Sequence, residues 1–478
     1  MEVVVMALPN THFGTDTIAQ FLAGGKKNIY FCGIGGVSMC SLAHITHLRG
    51  HAVSGYDRTP SALTRQLEEL GIDVHYTADS SHIDGMDMLV YTVAIPATQP
   101  EYAKALKRGI PVVSRADYLG YIMCGYTKRI GVSGMHGKST TTSMLEQIFR
   151  VGGKDPTVSC GAPMKDVGGR CDRIGAEDYF IFEACEYMDS FLDFYPTDVI
   201  VLNIEPDHLD YFRDLDHIED SFSRFLDRAG ECGTAYLNVN DDNVMRAAKD
   251  YAGRIVTFGV DSPSADYCAS DIVMEHGRPS FTVMHNGVSV CRISMHVPGA
   301  HNVCDALAAS AVALEHGVSP DALVQALAEF DGAVRRMDRH GVTETGAVVF
   351  DDYAHHPTEI TSTLNTAAQM EHNRIFCVFQ PHTYSRTKEL FDDFAAALAH
   401  TGVYQVILSE IYSARETDTL GVSSSLLADA VSLRGGNCTA LPTFDTIVDH
   451  LSRECGNGDL ILVMGAGDIN QICRKLIQ

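Results

Sequence analysis

The stretch that decides the fold is Arg129-Ile130-Gly131-Val132-Ser133-Gly134-Met135-His136-Gly137-Lys138-Ser139-Thr140-Thr141-Thr142. Residues 129–133 read as an apolar strand, and residues 134–142 read as a glycine-rich turn opening a helix. Such a turn lets backbone N–H groups face inward around phosphate oxygens, and the helix N-terminus adds its dipole. Lys138 is spaced to reach the β- and γ-phosphates, and the Ser139 hydroxyl to ligate Mg²⁺. Val132 stands where the full Walker spacing would place its first glycine, so the loop is the shorter G-x-x-G-K-S form. The competing reading is a glycine turn that merely caps a helix. The strand directly upstream favours a nucleotide loop.

Two similar openings flank this one. Residues 28–32 run into Gly33-Ile34-Gly35-Gly36-Val37-Ser38, a near match to G-x-G-x-x-G with Ser38 at the third small position. Asp57 lies about 20 residues further on, where a ribose-binding acid would sit. This pattern speaks for a diphosphate and not specifically for NAD, and a plain tight βα turn is the alternative. Residues 348–350 run into the polar block 351–357, with helical periodicity from Thr358. Apolar runs alternate with amphipathic stretches along the chain, which is the pattern of α/β domains with parallel sheets. Residues 261–297 alternate β-formers and predict a small antiparallel patch.

The 478 residues suggest about three domains. The expected boundaries are 1–125 (the first 25 or so residues an extension), 126–331 and 332–478. A hydrophobic fraction of 45% is enough to build cores. The net charge of −25 argues against general binding to nucleic acid or to an anionic membrane. It leaves room for a phosphorylated substrate in a local basic pocket. The 14 cysteines are dispersed and form no C-x-x-C pair, which predicts reduced, mostly buried thiols in a cytosol. The first nine residues lack the basic region of a secretory signal, and no apolar stretch is suited to span a membrane.

Further polar groups fall at the predicted carboxyl ends of strands, where a parallel sheet opens its ligand crevice. Glu183 ends the apolar run 178–182, and Asn203-Ile204-Glu205-Pro206-Asp207-His208-Leu209-Asp210 follows the run 198–202. Glu183 and His208 are candidate metal ligands. Mg²⁺ prefers oxygen, so His208 points to a second, less strictly coordinated ion; a loop histidine that caps a helix is the alternative. Asp351-Asp352-Tyr353-Ala354-His355-His356-Pro357 and Gln380-Pro381-His382-Thr383-Tyr384-Ser385-Arg386 close two strands of the third domain. An arginine in such a place suits a carboxylate or phosphate.

Together these motifs resemble the Mur ligase family of peptidoglycan synthesis. The similarity runs from about residue 28 to about residue 468. It carries seven blocks in family order, the last being Gly465-Ala466-Gly467-Asp468. The resemblance implies a three-domain α/β architecture. A Rossmann-like N-terminal domain binds a UDP-sugar, a central P-loop domain binds ATP, and a Rossmann-like C-terminal domain receives the amino acid. It implies ATP and two Mg²⁺ ions, with UDP-N-acetylmuramate and L-alanine as substrates in a bacterial cytoplasm.

By the same resemblance Gly33, Gly35, Gly36, Val37, Ser38 and Asp57 contact the UDP-sugar. Gly134, Met135, His136, Gly137, Lys138, Ser139 and Thr140 cradle ATP. Ser139, Glu183 and His208 bind metal. Asn302, beside His301, and Asp305 stand on the adenine side. Arg335 and Arg336 approach the ATP phosphates, and Asp351 joins the nucleotide set. His355, His382 and Arg386 lie near the amino acid and the nascent amide, and with Lys138 they form the expected catalytic group. Met135 replaces the family's usual Thr, Asp305 an Asn, and Thr383 an Arg. No lysine lies between Lys165 and Lys249, where other Mur ligases carry a carbamylated one, and this fits the alanine-adding branch. The rivals are a ligase that recycles a tripeptide onto the same sugar, a dinucleotide-dependent oxidoreductase built on the Gly33 loop, and a regulatory P-loop NTPase.

Overall fold

The computed structural model describes residues 8–176, 178–208, 211–414, 416 and 420–477. Asp210, the last residue of the 203–210 block, lies outside them. The chain forms two compact units, Met1–Tyr267 with Ala308–Leu323, and Cys268–Leu307 with Val324–Gln478.

In the first unit, β1 (Asn28–Cys32), β2 (Ala52–Tyr56), β3 (Asp73–His75), β4 (Met88–Tyr91) and β5 (Val112–Ser114) make a parallel sheet of order β3-β2-β1-β4-β5. Ile29 to Cys32 and Met88 to Tyr91 are buried, as strands covered by helices on both faces must be. The strand order reverses beside β1, so the Gly33 loop opens at the switch point where such sheets bind ligands.

The same unit holds β6 (Lys128–Ser133), β7 (Thr157–Met164), β8 (Arg170–Arg173), β9 (Tyr179–Glu183), β10 (Asp198–Val201), β11 (Thr234–Asn238) and β12 (Arg254–Val260). They run in the order β12-β11-β10-β6-β9-β7-β8, parallel except for the β7–β8 pair. Val132 pairs with Glu183, and Ser133 with Val201. The register therefore brings the ends of β9 and β10 level with the turn after β6. From that turn rises the helix Lys138–Val151, whose inner face, with Met144, Leu145, Ile148 and Phe149, is buried.

In the second unit, β13 (Tyr267–Glu275), β14 (Arg278–His285) and β15 (Val288–Ser294) lie side by side, with β14 and β15 antiparallel. This is the antiparallel patch the sequence predicts. A six-stranded sheet comes next, of order β16-β17-β21-β18-β19-β20. Its strands are β16 (Asp338–Val342), β17 (Val348–Asp352), β18 (Ile375–Phe379), β19 (Gln405–Leu408), β20 (Cys438–Ala440) and β21 (Leu460–Met464). Only β16 runs antiparallel to its neighbour. Strand β17 is longer than expected and takes in Asp351 and Asp352. Met464 pairs with both Asp352 and Phe379, which aligns three polar blocks at one sheet edge. All 14 cysteines are free thiols. Among the described residues no helix is long and apolar enough to cross a membrane.

Candidate active site

In the first unit the phosphate loop leaves β6 through Gly134, whose φ of 139° only glycine adopts without strain. A Cβ there would sit 3.0 Å from the Leu202 side chain. Asn203, at the end of β10, clamps the loop. Its Oδ1 accepts from the His136 amide at 2.9 Å, its Nδ2 donates to the His136 carbonyl at 3.1 Å, and its own carbonyl accepts from the Met135 amide at 3.3 Å. The Met135 side chain is buried in the core. It thus offers a ligand neither its amide nor its side chain. Gly137 caps the helix Lys138–Val151 without a side-chain hydrogen bond, which leaves the N-terminal turn open to an anion.

Lys138 Nζ donates to the carbonyls of Gly134 at 2.5 Å and Met135 at 3.0 Å, and to Glu186 Oε2 at 3.0 Å. Burial opposes its charge, but Glu186, Cys185 and Glu183 outweigh burial and hold the ammonium above the ordinary lysine range. Burial would also raise Glu186, yet Lys138 and then His208 keep it below the usual carboxylate range. Ser139 Oγ donates to Glu183 Oε2 at 2.7 Å, and the Gly161 amide reaches the same oxygen at 2.8 Å. His208 takes a left-handed φ of 52°, with Nε2 at 3.4 Å from Glu186 Oε1 and its ring 4.8 Å from that of Tyr187. Lys138, Ser139, Glu183 and His208 therefore belong to one cluster. The oxygens of Ser139 and Glu183 suit a hard cation. Glu186 is a member that sequence reasoning passed over, although it stands three residues after Glu183.

The Gly33 loop is built differently. Its Gly35 amide donates to Asp57 Oδ2 at 3.0 Å, and the Thr59 amide to Asp57 Oδ1 at 3.2 Å. Asp57 thus braces the loop in this structure. A Cβ on Gly35 would come 2.8 Å from both Asp57 Oδ2 and the Thr64 methyl. Gly36 caps the helix Val37–Leu48, and Ser38 Oγ accepts from Arg115 Nη1 at 3.2 Å. Burial lowers the Arg115 pKa, against the pull of Cys185 and Asp193. Among the described residues Ser38 is its one hydrogen-bond partner. The sequence did not single out Arg115, a half-buried guanidinium beside the Gly33 loop.

In the second unit Arg335 is turned inward. It donates to the carbonyls of Gly465 and, at 3.3 Å, Gly467; its Nε lies 3.4 Å from Asp351 Oδ2. Asp351 is fully buried, with His340 Nε2 at 3.7 Å, and its carboxylate meets Arg335 and His340 as ion-pair contacts without a hydrogen bond. Arg336 lies over the Tyr353 ring at 5.4 Å, with Glu359 at 3.6 Å. Glu359 also accepts from the His355 amide at 2.9 Å and lies 3.1 Å from His355 Nδ1, whose hydrogen-bond partner is the Tyr353 carbonyl at 3.1 Å. The rings of His355 and His382 meet edge to face at 6.1 Å. His382 stacks on Tyr412 and lies 3.5 Å from Arg386 Nη1. Burial, His355 and Arg386 push the His382 imidazole down to about 4. Thr383 caps the helix Tyr384–Glu389 at a strained φ of 65°. Asn302 and Asp305 are nearly buried on the helix His301–Glu315, and Asn302 Nδ2 donates to the Pro298 carbonyl at 2.7 Å. Asp352 was also missed. Burial raises its pKa to about 6, and it accepts from the amides of Met337 and Ala354.

The sheet order, the phosphate loop and the strand-end carboxylates define a nucleotide-dependent ligase scaffold, and the chain belongs to the Mur ligase family. Residues 28–127 match the family's catalytic domain, 132–313 its middle domain and 335–467 its glutamate ligase domain. The chain is 41% identical over 459 residues to a UDP-N-acetylmuramate–L-alanine ligase of Clostridium novyi, covering 96% of this chain and 99% of that one. It is 43% identical to the enzyme of the same name from Lachnospira eligens, covering 94% and 98%. Among solved structures it resembles the UDP-N-acetylmuramate-alanine ligase MurC of Thermotoga maritima, with a TM-score of 0.80 at 26% identity over 94% of this chain and 98% of that one. A murein peptide ligase of Psychrobacter arcticus gives a TM-score of 0.72 at the same identity and coverage.

Proposed function

We infer that this chain is an ATP-dependent ligase that joins L-alanine to the lactyl carboxylate of UDP-N-acetylmuramate in the synthesis of peptidoglycan precursors. The observation that carries the reading is the likeness at 41% and 43% identity to alanine ligases over nearly the whole chain. The cluster of Lys138, Ser139, Glu183, Glu186 and His208 supports it. We assign the UDP-sugar to a domain ending near residue 125, ATP to one ending near residue 331, and the amino acid to the remainder. The place of action is the cytoplasm.

The lactyl carboxylate attacks the γ-phosphorus, ADP departs, and an acyl phosphate results. Lys138 spreads the charge that develops on the transferred group, which is where phosphoryl transfer gains most. Mg²⁺, when held by Ser139 and Glu183 with a second ion at His208, supplies further charge neutralisation there. Arg335 and Arg336 are both candidates to neutralise charge at the ATP phosphates. The amine of L-alanine then attacks the activated carbonyl and phosphate leaves. His355 and His382 are the candidates to take the amine proton. Arg386 pairs with the α-carboxylate.

The test is phosphate release with UDP-N-acetylmuramate and each amino acid in turn. L-Alanine is expected to be preferred, with glycine and L-serine accepted at reduced efficiency, and L-glutamate and meso-diaminopimelate refused. A pocket excludes large side chains by overlap, whereas a missing methylene costs only ~1–3 kcal/mol. Comparable kcat/KM for L-alanine and L-Ala-γ-D-Glu-meso-diaminopimelate would reassign the chain to tripeptide recycling.

A further inference from the structure

The segment between Glu186 and the next strand is strained. In the 3₁₀ stretch Tyr187–Asp193, Met188 and Asp189 take φ of 55° and 54°. Two successive non-glycine residues in the left-handed region persist only where their surroundings over-determine them. Part of that surrounding is local. Ser190 Oγ donates to the Tyr187 carbonyl at 2.8 Å, the Asp189 amide donates to the Glu186 carbonyl at 2.9 Å, and Tyr211 and Ser221 donate to the Asp189 carboxylate.

The rest comes from the other end of the chain. Residues 8–22 lie across the first unit and grip it on two sides. On the sheet of β1–β5, the Leu8 amide donates to the Val93 carbonyl at 3.0 Å and Tyr91 donates to the Pro9 carbonyl at 2.6 Å. Asp117 accepts from Thr11 Oγ1 at 2.9 Å and from the Phe13 amide at 2.7 Å. The helix Gly14–Phe21 then buries Ile18 completely. On the strained segment, Asn10 Nδ2 donates to the Met188 carbonyl at 3.4 Å and to Ser190 Oγ at 3.5 Å. His12 Nδ1 lies 2.6 Å from Asp193 Oδ1.

We propose that residues 8–22 are a positioning strap for the phosphoryl-transfer site. Through Asn10 and His12 the strap fixes the segment 188–193, and that segment holds Glu186 against Lys138 and Tyr187 against His208. Asn10 and His12 touch no reacting group; they act through the strained turn. The extension thereby acquires a role, since it ties the sheet that presents the Gly33 loop to the segment that follows Glu186, the partner of Lys138. The proposal rests on the ligase reading for its effect on turnover, but not for its effect on the turn itself.

The test uses the full chain carrying Asn10→Ala with His12→Ala, beside His12→Gln, which keeps a donor for Asp193. Amide hydrogen exchange without ligands is read across residues 188–193 and across β10. Exchange in 188–193 should rise at least tenfold while β10 stays protected. The kcat should fall about as much with the KM for UDP-N-acetylmuramate unchanged, and His12→Gln should lie near the wild type in both. Unchanged exchange in 188–193, or a rise spread equally over β10, overturns the proposal. So does a raised KM at unchanged kcat. A wild type with no ligase activity would instead strike the functional reading and leave the exchange result to decide the strap.

Discussion

Lys138 and Glu186 form a buried ion pair, and such a pair is costly to break from one side because the remaining charge is left desolvated. Glu186→Gln should lower the unfolding free energy by roughly 3 kcal/mol. It should also cut turnover, since Lys138 loses the partner that fixes it over the loop. Denaturant midpoints and steady-state rates check both, and an unaltered midpoint would remove the pair from the account. Arg115 invites a different expectation. A hydrogen bond from a charged donor is worth ~1.5–3 kcal/mol, so Arg115→Ala should raise the KM for UDP-N-acetylmuramate by about tenfold or more while sparing that for ATP. Equal effects on both substrates would show that Arg115 only supports the fold. His382 gives the pH arm. Its folded value is about 4, and an unfolded histidine titrates near about 6.5. Between these values the unfolded chain binds the extra proton, so this group's contribution to stability is lost as pH falls through that window. His382→Gln abolishes that slope. The melting temperature of the variant relative to wild type should therefore improve on going from about pH 7.5 to about pH 5. A difference that stays constant with pH would mean His382 titrates as an ordinary histidine.

At the scale of the element, what sequence reveals is set by whether a residue acts locally. Gly134, Lys138 and Ser139 were legible as a phosphate-loop pattern because strand, turn and helix adjoin in the chain. Glu183 was legible as the end of an apolar run. Glu186, Asn203 and Arg115 were harder. Asn203 clamps the phosphate loop only because β10 lies beside β6, and Arg115 matters only because β5 places it against Ser38; no spacing in the sequence encodes either neighbour. Met135 reads as a loop residue, yet its side chain belongs to the core. The length of β17 was misjudged because Asp351 and Asp352 look like loop residues, while in the fold one is paired with Arg335 and the other with two amides. In the Gly33 loop Asp57 has the spacing of a ribose ligand, and its carboxylate also accepts from the Gly35 amide, a contact no spacing encodes. Gly35→Val should therefore act by displacing Asp57 and Thr64 as well as by blocking the diphosphate. The KM for UDP-N-acetylmuramate should rise roughly tenfold, about 1.4 kcal/mol, with the ATP KM nearly unchanged. Equal losses for both substrates would place the damage outside this loop.

On the scale of the whole molecule the residues proposed for the chemistry fall in both units. Lys138, Ser139, Glu183, Glu186 and His208 all lie in the first, and His355, His382 and Arg386 all lie in the second, as do Arg335 and Arg336, the two residues proposed for the phosphoryl step that stand outside the first unit. The proposed reaction has two steps with different demands. Making the acyl phosphate calls for charge stabilisation at a phosphoryl group, whereas capturing it calls for an oriented amine that can shed a proton. If each unit serves one step, the steps should separate under mutation. His382→Ala and Arg386→Ala should still convert ATP and UDP-N-acetylmuramate to the acyl phosphate, detected as a hydroxamate when hydroxylamine replaces L-alanine. Amide formation should fall by about a hundredfold in His382→Ala, the usual lower range for loss of a positioned acid–base group, and should also fall in Arg386→Ala through a raised KM for L-alanine. Lys138→Ala should lose hydroxamate and amide together. Hydroxylamine is a small nucleophile that needs no carboxylate clamp, so it bypasses Arg386 and reports on the first step alone. Were the hydroxamate yield of His382→Ala to fall in parallel with its amide yield, His382 would belong to the phosphoryl step, and the division of labour between the units would be wrong.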